Sequence, residues 1–227
     1  MSKRSQKVSA FLWDVDGTIV NSKKFAFDTT NDALRKLGKR SYTDEEYLEL
    51  FSKDWKTHVK RMGIESAQEI SLLIDTWNSR LASDKHKFKL YDGILNILTY
   101  LHRRNLKMAI VSSSSRSQLQ LYFDLFRIDK FFSTVVAKED TDDQKSMTRP
   151  VLEACERLHV SPRDCVFIDD TEDGIAAAKK LDVISIGVTW GFNSAQRITA
   201  AKPDFQANTP DELSIIITEL ARGNRKD

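Results

Sequence analysis

Two aspartates one residue apart, Asp14 and Asp16, follow the apolar run 8–13 and open the segment Asp14-Val15-Asp16-Gly17-Thr18. Carboxylates in this spacing can hold a metal ion and can also act as nucleophile and as general acid or base. Residues two apart on an extended chain share one face. Gly17 then frees the backbone to turn, so both acids can line one crevice at a strand's carboxyl end, where open parallel sheets bind ligands. Asp-Gly after a strand is also an ordinary turn signal, and the clusters that end other apolar runs decide between the two readings.

The apolar run 107–111 ends in Ser112-Ser113-Ser114-Ser115-Arg116 and a helical pattern. Hydroxyls and backbone N–H groups at a helix start can bind an anion, although serine there also serves as a plain cap. Ser112, nearest the strand, is the first candidate to touch a ligand, with Ser113 beside it. Lys145 follows an acidic surface loop, 138–144, between the third strand and the next helix. The run 165–168 ends in Asp169-Asp170-Thr171-Glu172-Asp173-Gly174. Capping explains one of these acids, whereas adjacent Asp169 and Asp170 at the end of a buried strand would carry a large desolvation cost unless a cation were shared. Oxygen ligands without histidine or cysteine favour magnesium over zinc. Together the clusters describe a metal-bound site with hydroxyls and a lysine, suited to a phosphoryl group.

These residues meet only if the elements between them alternate. After the first strand, 22–87 carries helical periodicity (Phe25, Leu34, Leu37; Tyr47, Leu48, Phe51; Ile70, Leu73, Ile74, Trp77) and almost no strand signal. Beyond it the pattern predicts helices at 94–103, 116–125, 150–158, 174–180 and 211–220, and strands at 107–111, 134–137, 165–168 and 183–188. Such alternation means an α/β, Rossmann-like, doubly wound parallel sheet. Right-handed crossovers place every strand end on one edge, so the clusters converge. The expected organisation is a catalytic core from 1–20 and 91–227, with 21–90 as an inserted all-helical cap.

At 227 residues, 41% of them hydrophobic, the chain can bury a real core. The net charge of +2, with basic clusters at Lys3-Arg4 and in Gly223-Asn224-Arg225-Lys226, gives no footprint for a nucleic-acid partner. No apolar stretch is long enough for a membrane span, and the start leads into a strand rather than a signal peptide, so a cytoplasmic protein is expected. Cys155 and Cys165 have no CxxC spacing and read as reduced packing residues. Monomer and homodimer both stay open.

Asp14-Val15-Asp16-Gly17-Thr18, Ser112, Lys145 and Asp169-Asp170, in this order, resemble the motifs of haloacid dehalogenase superfamily phosphatases. The stretches Ile175-Ala176-Ala177-Ala178-Lys179-Lys180 and Ile186-Gly187-Val188-Thr189-Trp190-Gly191 resemble the phosphoglycolate-phosphatase-like branch, whose cap is of the helical C1 type. The resemblance implies that Asp14 attacks phosphorus to give an aspartyl-phosphate, while Asp16 protonates the leaving alkoxide and later deprotonates water. It implies Mg2+ held by Asp14, Asp170 and the Asp16 backbone carbonyl. Lys145, Ser112, Ser113 and Thr18 would orient the phosphate, with Asp169 and Asp173 behind them. The substrate would be a small phosphorylated metabolite.

Two departures stand out. Asn21-Ser22 replaces the usual Asp-Ser, and Lys145-Ser146-Met147-Thr148 replaces Lys-Pro-x-Pro, with Arg149 as the substitute cation. In the cap segment, Lys53, Lys56, His58 and Arg61 are candidates to meet an anionic leaving group, against a solvated basic face backed by Trp55, Val59 and Met62. Among alternatives, a dehalogenase of this family lacks the second acid, and a β-phosphoglucomutase would place its cap-side histidine where Ala26 stands. A phosphoacceptor receiver would be shorter and without the insert, and a non-catalytic phosphate-binding protein would not need intact Asp14, Asp16 and Asp170.

Overall fold

The computed structural model describes residues 7–52, 55–141 and 146–223; Lys53, Lys145 and parts of both basic ends lie outside them, and at Trp55 the backbone alone is described. The elements in chain order are β1 (Ala10–Trp13), β2 (Val20–Asn21), α1 (Lys23–Lys36), α2 (Asp44–Leu50), α3 (Trp55–Arg61), α4 (Ala67–Asp84) and β3 (Lys89–Leu90). There follow α5 (Ile94–Arg103), β4 (Lys107–Val111), α6 (Arg116–Phe126), β5 (Thr134–Val136), α7 (Thr148–Leu158) and β6 (Cys165–Asp169). The chain closes with α8 (Glu172–Lys180), β7 (Ile184–Val188), α9 (Ala195–Ala201), β8 (Phe205–Ala207) and α10 (Pro210–Arg222).

Six strands form one sheet in the order β5-β4-β1-β6-β7-β8, every pair parallel. The order reverses at β1, so the expected doubly wound α/β sheet is the one found, with its switch point at the seam between β1 and β6. Both faces are covered. In β1, Phe11 and Trp13 pack in one apolar cluster with α5, α6 and α10, while Ala10 and Leu12 pack in a second with α7 and α8. β4 and β6 split the same way, Ile110 and Ile168 to the first side, Val111 and Phe167 to the second. The period-2 alternation of a strand feeding two cores is why these runs are apolar without a break. Cys155 and Cys165 are free and buried in the second cluster.

The expected strand and helix positions hold to within a few residues; the two-residue strands β2 and β3 were not foreseen, nor were α9 and the edge strand β8. These last two are short and flank Pro203-Asp204, where the periodicity breaks. Between β2 and β3, which pair antiparallel as a two-residue ribbon, the chain is helical. There α1 and α4 pack along each other, and Thr43 and Ser66 each start a helix with a capping box. This segment has its own apolar cluster around Ala33, Leu34, Val59, Ile64 and Leu73. No described helix is long and apolar enough to cross a membrane.

The strand-centre residue Phe167 is 1% exposed whereas Ile215 on α10 is 61% exposed. Phe167→Ala is expected to cost about 3–5 kcal/mol and Ile215→Ala less than about 0.5 kcal/mol, measured by urea unfolding.

Candidate active site

The seam between β1 and β6 builds the site. Trp13 lies beside Ile168 in register, and the Asp14 amide donates to the Ile168 carbonyl at 3.0 Å. Asp14 and Asp169 therefore leave the sheet as neighbours on strands about 4.8 Å apart, and Asp170 follows. Carboxylate oxygens of Asp14, Asp169 and Asp170 lie within 4.8 Å of one another, and all three residues are buried. Sequence reasoning puts Asp169 behind the metal; the structure brings its carboxylate into the group.

Neutral donors hold these acids in place. Asp170 accepts from the Phe192 amide at 2.6 Å and from the Thr18 hydroxyl at 3.2 Å. Asp169 accepts from both the amide and the hydroxyl of Thr171, at 2.7 and 2.6 Å. Thr18 is fully buried, so the hydroxyl expected on the phosphate orients an acid instead. Gly17 turns the chain at φ +86°, and a β-carbon there, or at Gly191, would collide with the Asp170 carboxylate. The loop carrying Gly191 is tied down by Lys23 Nζ and by the Tyr91 hydroxyl, both donating to the Trp190 carbonyl at 3.2 Å. Burial, then the charges of Asp170 and Asp16, push the Tyr91 phenol upward, so it stays protonated and donates.

Asp16 turns its carboxylate the other way. It accepts from the Tyr122 hydroxyl at 2.7 Å, from the Ser114 hydroxyl at 2.5 Å and from Gln118 Nε2 at 3.4 Å, all on α6 or just before it. Burial raises the Tyr122 pKa well above its ordinary value and the Asp16 charge adds to it. The phenol thus remains a donor at any working pH. Asp14 and Asp16 both line one cavity of about 350 Å³, with Ser113, Ser114, Ser115, Lys138 and Thr171 on the core side.

The remaining candidates separate. Ser113 reaches the cavity; Ser112 is 3% exposed beneath it, its hydroxyl accepting from the Ser114 amide at 3.1 Å. Asp173 is exposed in the first turn of α8. Lys145 lies outside the described residues. Arg149 is exposed and ion-paired with Glu153 and Glu156 of its own helix, which keeps its guanidinium on the surface of α7. In the insert, Lys56 and Lys60 are exposed, and Arg61 donates to the carbonyls of Leu50 and Phe51. Val59 and Met62 are buried as the apolar backing. His58 alone of the described candidates lines the cavity. Sequence reasoning missed Ser114, Gln118, Tyr122 and Lys138. A polar residue at the buried positions of α6, Gln118 and Tyr122 one turn apart, is the signal that was there to find.

The donor set suits a hard divalent cation: three buried carboxylates, oxygen only, at a spacing their charges would oppose. The profile of haloacid dehalogenase-like hydrolases matches residues 11–188, and the chain belongs to that family. It is 27% identical to the phosphoglycolate phosphatase of Synechococcus elongatus over 215 residues, covering 95% of this chain and 100% of that one. It is 22% identical to pyrophosphatase PpaX of Anoxybacillus flavithermus, covering 95% and 99%. Among solved structures, CbbY from Rhodobacter sphaeroides in complex with phosphate superposes with a TM-score of 0.76 at 20% identity, covering 91% of this chain and 96% of that one. A predicted phosphoglycolate phosphatase from Haemophilus somnus superposes at 0.83 with 18% identity, covering 95% and 99%. The chain is an enzyme of this family's phosphatase type, as its motifs led us to expect.

Thr18→Val keeps the volume and removes the donor to Asp170. Divalent-cation affinity, read by isothermal titration calorimetry, is expected to fall about 10–100-fold.

Proposed function

We propose that this enzyme hydrolyses small phosphate monoesters with Mg2+ through an aspartyl-phosphate. The observation that carries the reading is the division of labour between two aspartates on one cavity: Asp14 stands with Asp169 and Asp170, and Asp16 is held apart by Tyr122, Ser114 and Gln118. A carboxylate grouped with a metal site suits attack on phosphorus, and one turned away from that group on the same cavity is placed for proton transfer.

In this reading the Asp14 carboxylate attacks phosphorus, the ester P–O bond breaks, and Asp16 gives its proton to the departing alkoxide. Water then attacks the acyl phosphate while Asp16 takes its proton, releasing phosphate and restoring Asp14. Magnesium held by Asp14 and Asp170, with Asp169 close by and the Asp16 backbone carbonyl as the resemblance implies, would supply the positive charge that lets an anionic nucleophile approach an anionic phosphate. Ser113 and Ser114 at the start of α6, with Lys138 and Lys145, are assigned to the phosphate oxygens. Ser112 supports them through the Ser114 amide, and Asp173 is assigned a supporting place at the start of α8.

We assign residues 21–90 as the cap over the core of 1–20 and 91–227, hinged on the β2–β3 ribbon. Phe51 stacks on Phe192 with ring centroids 4.4 Å apart, and Arg197 of α9 donates to the Leu48 and Phe51 carbonyls. Contacts of that kind would exclude water from the leaving group's side. The mutase reading is weakened by Ala26, which lines the cavity with a methyl group where that reaction's cap-side histidine would stand.

A panel of phosphate esters, including p-nitrophenyl phosphate, assayed with Mg2+ and with chelator, tests the reading. Phosphate release is expected to vanish with chelator and return with Mg2+. Asp14→Asn is expected to lose more than about a thousand-fold in kcat, and full activity in that variant would remove the nucleophile.

A further inference from the structure

His58 sits on the insert's side of the cavity and is 6% exposed. Its ring is fixed by edge-on contacts with Tyr47 and Phe51, both with centroids 5.2 Å away. Nδ1 lies 3.3 Å from the Leu50 carbonyl oxygen. A carbonyl can only accept, so Nδ1 carries the proton. Burial holds the imidazole's pKa down at about 4, and the neutral ring then has a bare lone pair at Nε2. That nitrogen is buried with no hydrogen-bond partner. A buried acceptor left unsatisfied is costly, and the ring that carries it lines the cavity, so a small turn of the ring would offer Nε2 to a group bound there.

The rest of the insert's wall points the same way. Its described lining residues include Thr30, Tyr47, Phe51, Leu73, Trp77 and Asn78, and none that lines the cavity is Lys, Arg, Asp or Glu. Aromatic faces with a few neutral polar groups suit the face of an uncharged polar molecule. A carboxylate would meet the His58 lone pair as like against like.

Resting on the phosphatase reading, we propose that Nε2 of His58 accepts a hydrogen bond from a hydroxyl of the leaving alcohol, making the enzyme selective for phosphate esters of uncharged polyols or sugars over esters of hydroxy acids. His58 is thereby a specificity-determining residue. It sets which alcohol is held, while the aspartates carry the chemistry on phosphorus.

The test compares kcat/KM for glycerol phosphate and a hexose 6-phosphate with that for phosphoglycolate, whose leaving group offers a carboxylate and no hydroxyl beyond the ester oxygen. The wild-type enzyme is expected to favour the hydroxylated esters by about ten-fold or more, since a site built to bond a hydroxyl discriminates against analogues without one. His58→Phe is expected to reduce that ratio about ten-fold, and His58→Gln, whose amide oxygen can accept, to restore part of it. Thermal melts check that both variants are folded, and the wild-type preference decides even if one is not. A wild-type preference for phosphoglycolate, or a ratio unchanged in folded His58→Phe, overturns the proposal. Absence of phosphate release from every ester would fell the phosphatase reading itself, and this inference with it.

Discussion

Three carboxylates crowded at the β1–β6 seam are the constraint on which the rest of the molecule depends. At an effective dielectric of about 20, two unit charges at this separation repel by roughly 3.5 kcal/mol, and burial adds to the cost of each. Parallel register between β1 and β6 leaves little choice about Asp14 and Asp169, which emerge side by side. Donors then gather from three separate segments, Thr18 and Phe192 onto Asp170 and Thr171 onto Asp169, while Tyr122 holds Asp16 on the far side. Gly17 and Gly191 leave Asp170 the room that a β-carbon at either position would take. A divalent cation held among them would convert this arrangement from a liability into a preorganised site.

Tyr122 joins fold to chemistry. Its ring is fully buried in the apolar cluster that also holds Phe11, Trp13 and Ile110, and its hydroxyl ends on Asp16. The same packing that positions α6 on the sheet therefore positions Asp16 away from the other acids. Two aspartates one residue apart in sequence come to occupy different electrostatic surroundings, on which the different roles proposed for them rest. The cavity completes the division: its core side carries Asp14, Asp16, the serines and Lys138, and among the described residues the opposite wall carries no Lys, Arg, Asp or Glu, with Tyr47, Phe51, His58 and Trp77 set beside aliphatic and neutral polar side chains.

Much of this was legible beforehand. Unbroken apolar runs marked β1, β4 and β6, and 3.6-residue periodicity marked α5 through α8, because both faces of the sheet are buried and local sequence must record that. The helices between β2 and β3 were legible for the same reason, as helical periodicity without strands. α9 and β8 escaped because elements of seven and three residues leave too few repeats to read. Within the site, Asp14, Asp16, Asp169 and Asp170 were visible as acids where apolar runs stop. Of their partners, Gln118 and Tyr122 left only the faint signal of polar groups one turn apart on α6, and the Phe192 backbone amide left none, since it looks like ordinary loop.

The amino-acid sequence by itself determined the kind of elements, their alternation and the residue types that end each strand, because these follow from periodicity and turn chemistry within a few residues of chain. Tertiary structure alone decided that Asp169 joins Asp14 and Asp170, that Thr18 serves Asp170, and that His58, among the described basic candidates of α3, faces the cavity. Those outcomes depend on register and helix rotation between segments up to 152 residues apart, and a rotation of one residue about α3 exchanges a buried face for a solvated one.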